Sequence, residues 1–197
     1  MSIEGYSFTG DEFLDQLDEL KAANQSVEPV VRDYVSAAEN GGKGLAEDAR
    51  ALKTVLPHVF EPYHRIDQMV RNEQLEVPVQ FIRNGERYMS WMSLKGDDFE
   101  GIIPGLEEIE QNYPMNLSRG KIDYSEVGMP VALVDYAQDT VDAWREMRAN
   151  YWRVGEAENE LNGELEQTPV EYFLEAEEPA YRKGAEKIVS LTGENSF

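Results

Sequence analysis

The chain has 197 residues, with 39 Asp and Glu against 18 Lys and Arg, a formal charge of −21 at pH 7, 41% apolar residues and no cysteine. That apolar content is too high for a disordered chain. The missing cysteine removes a disulfide framework, a thiolate metal site and a cysteine nucleophile. The charge argues against direct binding to nucleic acid, which needs a basic footprint to neutralise phosphates. It argues equally against attraction to an anionic membrane surface.

A chain of this length is expected to form one helical domain over 1–197. Met1 to Phe8 carry neither the basic end nor the apolar run of a signal peptide. No apolar run approaches the ~20 residues that span a bilayer. A soluble, cytoplasmic protein is expected.

Helical signals dominate. Asp11–Ala23 carries Phe13, Leu14, Leu17 and Leu20 on one stripe, with Thr9 and Asp11 available as caps. Proline then marks further helix starts at Pro29, Pro62, Pro169 and Pro179. These signals predict helices near 28–39, 45–56, 62–74, 98–112, 130–160, 169–177 and 179–191. Gly41-Gly42-Lys43-Gly44 reads as a turn between helices. As a phosphate loop it follows no strand, and Gly44 stands where Ser or Thr should bind magnesium.

The segment at about 77–93 breaks the pattern, with Asn84-Gly85 between two extended runs. That dipeptide is a strong hairpin signal. A turn there would place Arg83 opposite Glu86 and Phe81 opposite Tyr88, pairs that stabilise register. One face would carry Val77, Val79, Phe81, Tyr88 and Met92, and the other Ile82, Met89 and Trp91. Both are apolar, and a lone two-stranded hairpin is barely stable in water. A hairpin arm over 77–94 that contacts another subunit is expected.

The stretch 130–160 is expected to be the longest element, about 45 Å if unbroken. Val134, Ala137, Val141, Trp144 and Tyr151 follow a helical spacing that Arg148 interrupts. The predicted fold is mainly α, a helical bundle with one long central helix and an inserted β-hairpin.

Candidate chemistry is sparse. Glu61-Pro62-Tyr63-His64 has the Glu-x-x-His spacing of carboxylate-bridged di-iron bundles, but such a site needs a second motif, and His58 supplies none. Pro62 is expected to push Glu61 out of helical geometry. No Gly-x-Ser-x-Gly elbow is present, and two histidines offer little choice of base. Trp144, Arg145, Arg148, Tyr151, Trp152 and Arg153 mix aromatic and basic residues as single-strand binders do, yet Asp139, Asp142 and Glu146 lie among them. A core stripe beside a salt-bridged flank is the expected reading. No catalytic site, cofactor or metal is predicted.

Between Val154 and Tyr181 there are nine acids and neither Lys nor Arg, with Val170, Tyr172, Phe173 and Leu174 inside the run. This field reads as a docking surface for a basic partner, or as a solvated helix face. The expected contact residues are Ile82, Asn84, Gly85, Met89 and Trp91 of the hairpin. To these are added Glu156, Glu158, Glu160, Glu164, Glu166, Glu171 and Glu175. A non-catalytic structural or assembly protein acting through protein–protein contacts, as a homo-oligomer, is expected. A helical body with a hairpin arm resembles, in architecture, the head–tail adaptor proteins of tailed phages, which would imply a place in a virion. The alternative is an acidic mimic of nucleic acid that inhibits a basic nucleic-acid-binding protein.

Overall fold

The computed structural model describes residues 7–41, 44–71, 76–83, 86–93, 96–117, 131–161 and 163–192. In chain order these form α1 (Ser7–Glu39), α2 (Leu45–Val55), α3 (Pro57–Arg71), β1 (Glu76–Arg83) and β2 (Glu86–Ser93). They continue as α4 (Phe99–Leu117), α5 (Val131–Glu160), α6 (Pro169–Leu174) and α7 (Pro179–Thr192). The architecture is mainly helical. Among the described residues, no helix is long and apolar enough to cross a membrane.

Two expected helix starts are corrected. α1 runs unbroken through Pro29 for 33 residues, so there is no separate helix at 28–39, and α1 rather than 130–160 is the longest element. The buried positions Phe13, Leu17, Leu20, Asn24, Val27, Val31 and Tyr34 hold one face in phase across the proline. Pro29 and Gln25 are both exposed, so the carbonyl that loses its helical N–H partner can turn to water. α3 likewise begins at Pro57 and contains Pro62, with Val59, Phe60, Tyr63 and Ile66 buried around it. Glu61 is therefore helical, contrary to expectation.

The α5 stripe is also corrected. Its buried face passes through Met147, Tyr151 and Val154, and Arg148 is exposed with its guanidinium 5.2 Å from the centre of the Trp144 ring. The apolar seam is not interrupted by Arg148.

The chain divides into two units, Met1–Leu17 with Arg65–Asp142, and Asp18–His64 with Ala143–Phe197. In the first unit, Phe13 and Leu17 of α1, Ile66 and Val70 of α3, and Phe99, Ile102 and Ile103 of α4 are buried, as is Val141 of α5. Asp67, only 2% exposed, accepts from the Phe99 backbone N–H at 3.2 Å and from Arg71 Nε at 2.9 Å. Asp98 accepts from the Gly101 N–H at 2.8 Å, so two carboxylates serve the unsatisfied N-terminal groups of α4.

The same unit holds β1 and β2, which pair antiparallel from Glu76 opposite Ser93 to Arg83 opposite Glu86. The expected turn at Asn84 and Gly85, and the side chains of both strands, lie outside the described residues.

The second unit is built around aromatic rings. Phe60 of α3 meets Phe173 of α6 edge-on at 5.0 Å and Tyr151 of α5 at 5.5 Å between ring centres. Gly184 of α7 faces the Phe60 ring so closely that a Cβ there would overlap it, and Gly155 of α5 stands in the same relation to Thr192. Glycine at these two places lets α7 pack closely. Between α1 and α2 the backbone turns at Gly41 (φ 58°) and Gly44 (φ 126°), a region that side chains disfavour.

Candidate functional site

The acidic C-terminal field lies in the second unit, on the end of α5, the segment 161–168, α6 and α7. Thr168 caps α6 and Pro169 begins it. The Thr168 hydroxyl accepts from the Glu171 N–H at 3.2 Å, and Glu171 Oε2 accepts from the Thr168 N–H at 2.8 Å. This reciprocal capping box satisfies two orphan donors and gives a helix of six residues a defined start.

The acids of the field differ in role. Glu156 and Glu160 are exposed on α5, and Glu164 and Glu166 are exposed in the segment that follows. Glu171 and Glu175 are exposed as well, although Glu171 completes the capping box and Glu175 accepts from Gln167 Nε2 at 2.9 Å. Glu158 stands apart. It is half-buried, and its Oε1 accepts from the Val170 N–H at 3.0 Å.

Burial pushes the Glu158 carboxyl up to about 7, reinforced by the charge of Glu171 and opposed by the Thr168 hydroxyl, the Val170 N–H and the Lys53 charge. Tyr34 of α1 is fully buried, and its hydroxyl faces this carboxyl. Its own ionisation is driven well above the usual tyrosine range by burial and by Glu158. A cavity of about 180 Å³ opens beside Glu158, lined also by Gly155, Asn159, Thr168, Ile188 and Thr192.

Two large side chains break the polar surface of this unit. Trp152 is 45% exposed and Tyr172 46%. Trp152 shares a face of α5 with Glu156 and Glu160, four and eight residues on. These three, with Arg32, Glu39 and Arg153, line a groove of about 390 Å³. Both arginines are engaged by carboxylates, since Arg153 lies 3.5 Å and Arg32 3.8 Å from Glu28. Tyr172 lies under Lys53, whose ammonium is 5.0 Å from the ring centre and donates to the Gln167 carbonyl at 3.0 Å.

Of the aromatic and basic residues in 144–153, Tyr151 is fully buried and Trp152 faces solvent. Ile82, Met89 and Trp91 are placed by backbone only, opposite Arg87, Gln80 and Pro78. They belong to the first unit, and the acidic field belongs to the second. Glu61 accepts from the Tyr181 hydroxyl at 3.4 Å. Among the described residues, no group of three or more His, Asp or Glu could hold a metal ion.

Sequence reasoning missed Tyr34 and the inward turn of Glu158. The Thr168-x-x-Glu171 spacing was the available signal for the capped helix. Nothing in the spacing of nine acids separates the one that turns inward. No protein-family model matches the chain, and no curated protein or solved structure does either.

Proposed function

We propose that the chain is a non-catalytic protein that acts through protein–protein contacts, docking a basic partner on the acidic face of its second unit. The observation that carries this reading is the exposed Trp152 in line with exposed Glu156 and Glu160. An exposed indole supplies a large, rigid contact surface. Arginine is the natural counterpart, since it stacks on aromatic faces while pairing with carboxylates. The surplus of acids speeds the encounter and penalises acidic competitors.

The test is calorimetric titration with an arginine-rich helical peptide. Binding at about 50 mM salt that weakens at least tenfold by about 300 mM is expected. Trp152→Ala, and separately Glu156→Gln with Glu160→Gln, should each weaken it about tenfold. If these variants bind as tightly as wild type, bulk charge alone is responsible and the docking surface is refuted.

A second reading is self-assembly through the strand pair, as an oligomeric or virion component. Among the described residues the sheet has only two strands, so each strand has an edge that no other strand covers. Self-association through such edges would persist at high salt, unlike docking of a basic partner.

A further inference from the structure

We infer that the cavity between α1 and α5 at Asn24 is a binding site for a guanidinium group, with the Asn24 side-chain oxygen as its buried acceptor and Glu146 as its charge partner. The site lies within the second unit and stands whether or not a partner docks at Trp152.

Helical spacing assembles it. Asn24 and Glu28 of α1 are four residues apart, and Glu146, Asn150 and Arg153 of α5 follow at intervals of four and three, so each set shares a helix face. With Gln25 they line a cavity of about 420 Å³, within the ~300–1,000 Å³ usual for small-ligand sites.

Acceptors are in excess there. Asn24 is 1% exposed, and its Nδ2 donates to the Ala143 carbonyl of α5 at 2.9 Å, which fixes the amide. Its Oδ1 is left, among the described residues, with no hydrogen-bond partner. A buried acceptor left unpaired is costly, so the position calls for a donor from outside the chain. Gln25 adds to the excess, because Pro29, four residues on in α1, has no N–H to give its carbonyl. Asn150, 5% exposed, brings a second side-chain amide to the wall.

Charge then selects a cation. Arg153 is held 3.5 Å from Glu28, and Arg32, 3.8 Å from the same residue, is matched by Asp33 at 3.8 Å. These charges cancel, and the exposed Glu146 leaves one negative charge over. A guanidinium offers five N–H donors in one plane and sheds its water more readily than an ammonium. An anion would meet the same surplus of acceptors and be repelled. The group has two sources, a free guanidinium compound or an arginine of a bound protein. The second is within reach, because Arg153 lines both this cavity and the groove at Trp152.

NMR of the side-chain amide and indole signals of the full chain tests the site. The probe is N-acetyl-arginine amide, with N-acetyl-citrulline amide as its uncharged counterpart of similar shape. The arginine compound should shift the Asn24 and Asn150 amides saturably, and the citrulline compound should bind at least about tenfold more weakly. Asn24→Leu should abolish the shift at Asn150. Glu146→Gln, at an exposed position, should weaken binding about threefold and keeps the claim testable if the first variant does not fold. No saturable shift at these amides, equal binding of the citrulline compound, or binding unchanged in the folded variants would overturn the site. Shifts confined to the Trp152 indole would also overturn it, placing the guanidinium in the other groove and leaving the docking reading intact. The arginine-rich peptide then separates the sources. If it moves the same amide signals, the site takes a partner's side chain; if only the small compound moves them, it takes a free ligand.

Discussion

At the scale of single residues, the positions with most leverage are those where one atom more or less cannot be absorbed. Gly184 is such a position, because a Cβ there would run into the Phe60 ring, itself held by Phe173 and Tyr151. Gly184→Ala should lower stability by about 1–3 kcal/mol, the usual cost of overpacking, despite alanine's better helix propensity. Denaturant unfolding measures it, and an unchanged or higher midpoint would show that α7 can shift freely. Asp67 has the opposite character, a buried acceptor that holds the start of α4. Asp67→Ala should cost about 1–3 kcal/mol by removing its hydrogen bonds to the Phe99 N–H and to Arg71. Asp67→Asn can still accept from that N–H and should cost less. Equal losses in the two variants would assign the effect to the Arg71 charge pair instead.

At the scale of elements, regular apolar spacing was readable and proline was misleading. The helices near 45–56, 98–112, 130–160 and 179–191 were legible because each repeats its apolar residues at helical spacing. Pro29 and Pro62 looked like starts because proline suits a first turn. Here the buried stripe on both sides of each proline outweighs the single lost bond, and the helix continues. Arg148 misled in a related way, since the true seam runs one residue earlier at Met147. The exposed acids of the candidate surface were legible as a charge run. Glu158 was not, because its burial depends on α1 and α6 meeting it from distant parts of the sequence. α6 itself depends on its cap, being six residues long. Thr168→Ala removes the acceptor for the Glu171 N–H and should cost about 0.5–2 kcal/mol. Faster exchange confined to α6 and the segment before it is the expected signature, whereas a uniform increase would place the role of Thr168 elsewhere.

At the scale of the whole molecule, charge sets the behaviour. A chain of −21 repels itself when compact, and salt screens that repulsion over about 10 Å at 0.1 M. The melting temperature should therefore rise from low salt to about 0.5 M sodium chloride. A flat or falling curve would mean that the ion pairs already compensate the acids. The same charge bears on the central claim, since on the proposed reading acidic faces would keep copies of the chain apart and draw a basic partner in. The most direct measurement is the mass in solution by light scattering on a sizing column, alone and with one equivalent of the arginine-rich peptide, at about 50 and 500 mM salt. The predicted result is a single chain of 22.4 kDa when alone, a complex with the peptide at low salt, and its release at high salt. A multiple of the chain mass that persists at high salt, with no peptide bound at low salt, would contradict it.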